Sequence, residues 1–350
     1  MDNGTIKAAI VGATGYGGAE LIRLLQAHPQ VEVSCVLSSS NSGTPLSASF
    51  PHLTDIIELE LTAIEPAVIK EKADVVFLAT PAGVSSELTP KLLEQGLKVI
   101  DLSGDLRLKD GAVYEKWYKR APASPDILEK AVYGLSDVYG DSVAGQSVIS
   151  NPGCFPTATL LGLIPAVKEG WIDPATLIID AKTGVSGAGR GVGLGTHYSE
   201  VNESVKAYKV NAHQHIPEIE QVLSETAGSE VVVTFTTHLI PMTRGILSTM
   251  YASVNGSKST QDFIDLYRSF YKDRPFVRIR ENGILPATKE VSGSNYCDIG
   301  FSADERTGRV TVVSAIDNMV KGAAGQAIQN LNLAMGWDEA TGLNFIPMYP

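Results

Sequence analysis

The residues with the clearest chemical potential lie in Ser150-Asn151-Pro152-Gly153-Cys154-Phe155-Pro156-Thr157. Asn-Pro-Gly dictates a tight turn, because proline fixes φ and glycine accepts angles that other residues avoid. Val148 and Ile149 lead in as an apolar strand, Pro156 suits the first turn of a helix, and residues 157–164 read as an apolar helix. Cys154 is therefore expected at a strand–turn–helix junction, at or near a helix N-terminus. Unpaired N–H groups there favour a thiolate over a thiol and can hold an oxyanion on a carbonyl under attack. The chemistry this suggests is nucleophilic attack on an acyl carbon. The alternative is a buried, inert cysteine after a turn.

A second cluster is Asn211-Ala212-His213-Gln214-His215-Ile216-Pro217-Glu218-Ile219-Glu220. Pro217 is a good first helical residue, and the helix it opens stops at Gly228, so His215 sits just before a helix. The positive end of a helix keeps a histidine neutral, as a general base requires. His213 and His215 also have the spacing of a metal pair on a strand, but no third ligand presents itself, and no metal is expected. Structural roles for both are the alternative. Arg107, in Ser103-Gly104-Asp105-Leu106-Arg107, could act as a bidentate donor to a phosphate or carboxylate, or make a surface salt bridge. The stretch Thr183-Gly184-Val185-Ser186-Gly187-Ala188-Gly189-Arg190-Gly191-Val192-Gly193-Leu194-Gly195 holds six glycines. It reads as a loop through which backbone approaches a ligand, with Ser186 and Arg190 as polar contacts, rather than as a helix or strand.

These groups need a frame. An apolar strand at 6–11 runs into Gly12-Ala13-Thr14-Gly15-Tyr16-Gly17-Gly18, and apolar residues at helical spacing follow over 19–27. Strand, glycine turn and helix suggest the first unit of a dinucleotide-binding fold, although an ordinary βα turn would read alike. The next strand, 31–37, ends in Ser38-Ser39-Ser40-Asn41-Ser42. NAD sites usually carry a carboxylate there; its absence, with hydroxyls in its place, points to NADP. Strands at 74–80 and 98–102 flank a helix closed by Gly96. In an open parallel sheet, ligands lie beyond the carboxyl ends of strands, which puts Thr80, Ser103 and Arg107 in the ligand zone. Residues 110–147 read only as a connection, partly helical. Further strands at 176–182, 231–239, 246–254, 277–279, 296–301 and 310–316 lack regular intervening helices, apart from 261–271 and the one after His215. They predict a mixed, largely antiparallel sheet. A closing helix at 320–335, opened by Asp317-Asn318, carries small residues that permit packing back on the first domain. The expected fold is α/β: a Rossmann domain of residues 1–150 with 318–350, and an α+β catalytic domain of residues 151–317, to which the resemblance described below adds oligomerisation.

The chain of 350 residues is long enough for two domains. With net charge −11 and no Lys/Arg block, a nucleic-acid partner is not expected. No apolar run reaches the roughly 18 residues of a membrane helix. Met1-Asp2-Asn3-Gly4 has no basic n-region and no apolar stretch behind it, so no signal peptide is read there. Three scattered cysteines argue against a disulfide framework and fit a reducing cytoplasm.

Six motifs carry a resemblance over nearly the whole chain: the glycine stretch 12–18, Asp101-Leu102-Ser103-Gly104-Asp105-Leu106-Arg107, the 151–157 cysteine turn, Lys182 through Arg190, His213 through Ile219, and Lys321-Gly322-Ala323-Ala324-Gly325-Gln326-Ala327. Together they resemble the N-acetyl-γ-glutamyl-phosphate reductases of arginine biosynthesis, within the wider aspartate-semialdehyde dehydrogenase family. The resemblance implies NADPH-dependent reductive dephosphorylation of an acyl phosphate: Cys154 attacks, phosphate leaves, and hydride converts the thioester to the aldehyde. It implies His215 as acid/base, with His213 a second candidate. It implies NADP contacts at Gly12, Thr14, Gly15, Tyr16, Gly17, Ser38, Ser39, Thr80, Ser103, Gly104, Ser186, Gly187 and Asn318. Substrate contacts are implied at Arg107, Asn151, Arg190, His238 and Arg244, with the division between phosphate and α-carboxylate left open. A homodimer or homotetramer is implied. Gly104 and Leu106 stand where the family more often carries Ala and Phe. Rival readings are aspartate-semialdehyde dehydrogenase, a reductase of the longer aminoadipyl phosphate, a metal-dependent hydrolase, and a non-catalytic NADP-binding regulator, which would need the fold but not Cys154.

Overall fold

The computed structural model describes residues 5–350, so the opening Met1-Asp2-Asn3-Gly4 lies outside the described residues. The chain divides into two compact units. One takes in the described residues up to Pro152 together with Ala323–Asn344; the other is Gly153–Gly322 with Phe345–Pro350.

The first unit alternates strand and helix: β1 (Ile6–Val11), α1 (Tyr16–Leu25), β2 (Val31–Leu37), the single turn α2 (Leu46–Ser49), β3 (Leu61–Thr62), α3 (Pro66–Lys72), β4 (Val75–Leu78), α4 (Val84–Glu94), β5 (Lys98–Asp101), α5 (Gly111–Tyr118), α6 (Pro125–Lys130), β6 (Val132–Tyr133), α7 (Ser136–Val143) and β7 (Val148–Ser150). Its sheet runs β3-β2-β1-β4-β5-β7-β6, and every pairing is parallel. Strands buried on both faces explain the near-continuous apolar runs at 8–11 and 75–78. The strand order reverses between β1 and β4, the switch point at which open α/β sheets bind ligands.

The second unit contains α8 (Cys154–Lys168), β8 (Ile172–Thr183), the turn α9 (Tyr198–Val201), β9 (Lys206–Tyr208), α10 (Ile216–Ala227), β10 (Thr234–Leu239), β11 (Ile246–Val254), α11 (Thr260–Phe270), β12 (Val277–Ile279), β13 (Cys297–Asp304) and β14 (Arg309–Ile316). Its sheet, β12-β13-β14-β11-β8-β10-β9, is mixed: β8/β10 and β12/β13 are parallel, the other pairs antiparallel. A π turn at Val320–Ala324 then runs into α12 (Gly325–Ala334). Within the first unit α12 is tied by Ser136 Oγ donating to Asn330 Oδ1 (2.7 Å) and by His28 Nε2 meeting Asn332 Oδ1 (3.0 Å). The expected α/β class, with one parallel and one mixed sheet, is what the chain forms. The stretch read as a partly helical connection resolves into α5, α6, α7 and the short β6.

α8 is the core of the second unit. Every residue from Phe155 to Val167 is buried, as expected of a helix apolar on all sides. Pro165 lies inside it and cannot donate to the Leu161 carbonyl one turn back. The Tyr271 hydroxyl donates to that carbonyl instead (2.8 Å), and the Tyr267 hydroxyl to the Gly162 carbonyl (2.6 Å). Two tyrosines at the end of α11 thus keep a proline-containing helix continuous in a dry core.

Candidate active site

Cys154 is the first residue of α8, and Gly153 is its N-cap, with extended backbone and no side-chain cap. The cysteine is partly exposed, whereas Cys35 and Cys297 are buried. The uncapped N–H groups of this first turn are the donors that a helix N-terminus offers to negative charge. Space around the cysteine is set by glycines. A Cβ on Gly153 would meet His215 Nε2 at 2.5 Å, and one on Gly322 would meet the Cys154 Cβ at 2.8 Å. The His215 imidazole therefore lies directly over the backbone that precedes the thiol.

The two histidines divide. His215 is the N-cap of α10, as its place before Pro217 suggested. His213 is buried edge-on against Phe155 and Phe235, its ring 4.7 Å from that of His215. Its Nδ1 accepts the His215 backbone N–H (3.1 Å), so the neutral ring carries its proton on Nε2. Burial, with the Lys209 ammonium adding to it, pushes His213 down to about 3. His213 thus holds the His215 backbone, while the His215 ring flanks the cysteine.

Two further residues went unassigned in the sequence. Glu218, on the first turn of α10, is fully buried, and its Oε1 accepts the Gly153 N–H (2.8 Å). An acid at this helix position ordinarily serves its own helix; here it takes the N–H of Gly153, the residue before the first turn of α8. Tyr208, at the end of β9, lies against His213 (5.7 Å between rings). Burial and then the charge of Cys154 push its phenol up.

Among the expected contacts in this unit, Ser186, Gly187 and Asn318 come together. Asn318 Nδ2 donates to Ser186 Oγ (3.0 Å), and its Oδ1 accepts the Gly245 N–H (2.7 Å). A Cβ on Gly187 would stand 3.6 Å from Asn318 Nδ2. Arg244 Nη1 stands 3.7 Å from buried Asp317. His238 Nδ1 stands 3.1 Å from Asp180, which also meets Lys182 at 3.0 Å. Arg190 is exposed on the glycine loop, which forms short 3-10 turns at Val185–Ala188 and Leu194–Thr196.

In the first unit, Gly12 has φ +82°, and a Cβ there would lie 2.2 Å from the Ala79 carbonyl oxygen. Gly15 caps α1 without a side-chain bond, and a Cβ on Gly17 would meet only Ala79 Cβ at 3.7 Å. The Gly12 and Ala13 N–H groups donate to the Leu37 carbonyl and the Gly15 N–H to the Gly12 carbonyl, while the space over Gly15 and Gly17 is left open where a pyrophosphate would approach. Thr14 is half-buried and Tyr16 exposed in the same turn. At the end of β2, Ser38 is buried and Ser39 exposed; Ser38 Oγ is 3.4 Å from Ser40 Oγ, and residues 38–42 contain no carboxylate. The donor set fits a dinucleotide bearing a 2′-phosphate. Thr80 Oγ1 is 3.3 Å from Ser85 Oγ, and the Ser103 N–H donates to Asp101 (2.9 Å). Gly104 has φ +104°, and a Cβ there would meet the Tyr118 hydroxyl at 2.8 Å, so glycine suits this backbone. Arg107 is buried and donates from Nε to the Asn151 carbonyl and from Nη2 to the Leu102 carbonyl (2.9 Å each). The Asn151 amide meets the Ala323 carbonyl and Asn330. Among the described residues no group of three or more His, Cys, Asp or Glu could hold a metal ion, and no helix is long and apolar enough to cross a membrane.

Comparison with known proteins agrees with this geometry. Residues 7–146 match the NAD-binding domain of semialdehyde dehydrogenases, and residues 154–318 match their dimerisation domain. Crystal structures of aspartate semialdehyde dehydrogenase II from Vibrio cholerae share the fold at 15–16% identity. Their TM-scores are 0.72 and 0.73, over 94% of this chain and 98% of theirs. Fold and domains thus define a semialdehyde dehydrogenase. N-acetyl-gamma-glutamyl-phosphate reductase of Geobacillus thermodenitrificans is 61% identical over 99% of this chain and 100% of that protein; the Bacillus subtilis enzyme of that name is 54% identical with the same coverage. The chain belongs to the N-acetyl-gamma-glutamyl-phosphate reductase family, as its motifs suggested.

Proposed function

We propose that this chain is an NADPH-dependent reductase of N-acetyl-γ-glutamyl phosphate that forms a thioester on Cys154. The observation that carries the reading is His215 Nε2 packed over Gly153, next to a cysteine at an uncapped helix N-terminus. The family and its named relatives support the substrate.

In this reading His215 takes the thiol proton and Cys154 Sγ attacks the acyl carbon. The Sγ–C bond forms, the C–O bond to phosphate breaks, and phosphate leaves as an anion. An acyl phosphate has a good leaving group, so the site's work is chiefly to bind anions and hold the oxyanion at the first turn of α8. His213 positions His215, and Glu218 fixes the turn that carries the cysteine. Arg107, Asn151, Arg190, His238 and Arg244 are assigned to the substrate. NADPH, when bound, supplies hydride to the acyl carbon. Gly12, Thr14, Gly15, Tyr16, Gly17, Ser38, Ser39, Thr80, Ser103 and Gly104 are assigned to the cofactor, as are Ser186, Gly187 and Asn318. The first unit is the NADP-binding domain, and the second carries catalysis and self-association. The match to a dimerisation domain supports a homodimer or homotetramer, and the cysteine pattern supports a cytoplasmic setting.

The test is reverse turnover: NADP⁺ reduction with N-acetylglutamate semialdehyde, with and without phosphate, beside aspartate semialdehyde. Phosphate-dependent reduction with the acetylated substrate alone is expected. Turnover of aspartate semialdehyde alone would move the chain to that substrate, and silence on both would defeat the reading.

A further inference from the structure

Two carboxylates, Asp101 and Asp105, are buried without solvent exposure at the carboxyl end of β5. Their surroundings differ. Asp105 receives the Gly83 N–H on both oxygens (2.9 and 2.8 Å), the Ser86 N–H (3.2 Å) and the Tyr114 hydroxyl (2.7 Å). Gly83 and Ser86 form the N-terminal turn of α4, whose dipole favours negative charge. Asp101 uses one oxygen: Oδ1 accepts from Ser85 Oγ (2.6 Å) and the Ser103 N–H (2.9 Å). Its Oδ2 has no hydrogen-bond partner among the described residues, and neither has Ser150 Oγ. Ser150 pairs with Asp101 in the β5/β7 register, so the two side chains share one face of the sheet.

Charge separates the two acids further. The ionisable groups facing them are few. Arg107 reaches the carbonyls of Leu102 and Asn151, the residues directly after Asp101 and Ser150. Tyr114 comes from α5, its phenol pushed up by burial and by Asp105. α4 and β7 contribute the hydroxyls of Ser85 and Ser150. Asp105 has backbone N–H groups on both oxygens to hold a charge, whereas Asp101 Oδ2 has no donor, and a buried acid in that position keeps its proton. Burial and then Asp105, against the donors Ser85 and Ser103, leave the Asp101 carboxyl pushed up.

We propose that Asp101 works as a neutral carboxylic acid, with the proton on Oδ2, and that in this form it positions Ser103 and Gly104 for the cofactor. The second half rests on the reading of the first unit as the NADP-binding domain. The acid's carbonyl oxygen takes the two donors it faces, and its hydroxyl lies on the sheet face it shares with Ser150. An asparagine presents the same pattern of acceptor and donor without a titrating proton.

The sign of the test follows. A carboxyl whose folded pKa is raised loses stability for the protein as pH climbs from about 3.9 toward the folded value, whereas asparagine loses none. Asp101→Asn is therefore expected to raise the thermal midpoint by roughly 2–4 °C at pH 8 and to change it little at pH 4. A lower midpoint at pH 8, or an equal shift at both pH values, overturns the neutral acid. NADPH affinity of Asp101→Asn is expected within about 2-fold of the parent, and of Asp101→Ala about 10-fold weaker. Parental affinity in Asp101→Ala overturns the positioning role. If that variant does not fold, Ser85→Ala replaces it, with an expected loss of about 3-fold and unchanged affinity overturning the role. A parent chain that does not bind NADPH would defeat the cofactor reading and with it the positioning half, while the midpoint comparison still decides the proton.

Discussion

The molecule uses one local device twice. α1 and α8 each follow a parallel strand of the first unit's sheet, each opens behind a glycine N-cap, and neither cap is closed by its own side chain. At α1 the cap itself is open: a Cβ on Gly15 would meet only the Gly12 carbonyl oxygen at 3.4 Å. At α8 the turn is crowded. His215 lies over Gly153, Gly322 presses on Cys154, and Glu218 takes the cap's N–H. The first junction suits an anion that arrives from outside; the second holds a nucleophile and its neighbours in fixed geometry. Each turn ends in a glycine N-cap, and what packs against it decides its use.

The comparison can be broken by substitution, and the largest effect is expected at the thiol. Cys154→Ser should lower turnover about 10³-fold or more while NADPH binding, read by fluorescence titration, stays intact. A loss under about 10-fold would remove the thioester from the mechanism. Next is a matched pair. Gly153→Ala must displace His215 and should cut kcat about 10²-fold with cofactor affinity kept. Gly15→Ala has room for its methyl; it should fold normally, weaken NADPH about 10-fold and spare kcat at saturating cofactor. If both variants lost the same property, the two junctions would not be specialised. Glu218→Ala leaves the Gly153 N–H buried and unpaired, at a cost of about 1–3 kcal/mol in denaturant unfolding, whereas Glu218→Gln should recover most of it. The smallest effect concerns pH. His213 is depressed to about 3, so its neutral form supports folding above pH 6.5, and that support is lost as pH falls from about 6.5 toward 3. His213→Asn, whose side chain can still accept the His215 N–H, should flatten this acid limb of stability.

Much of this was legible in sequence because it depends on local rules. β1, β2, β11 and β12 have the bounds their apolar runs predict, and the runs of β1 and β2 stop at Gly12 and Ser38. Gly228, at φ +67°, ends α10 as a glycine cap should. The site's less visible parts depend on partners far along the chain. α5 is a short helix started by Asp110, whose side chain accepts the N–H groups of Ala112 and Val113; its periodicity alone is too brief to stand out. The closing helix begins with a π turn at Val320–Ala324, and no spacing announces that Gly322 must clear Cys154. Arg107 reads as an anion binder, and its guanidinium is seen holding two backbone carbonyls. Glu218 looks like an acid serving its own helix, and only the fold reveals that it serves another.

The unequal burial of the three cysteines has a practical consequence. Cys35 and Cys297 are enclosed, and Cys154 alone is partly open. A gentle alkylating reagent should therefore react once per folded chain and three times per unfolded chain. The number of labels counts intact active sites, and the speed of the second and third reports how often the core opens.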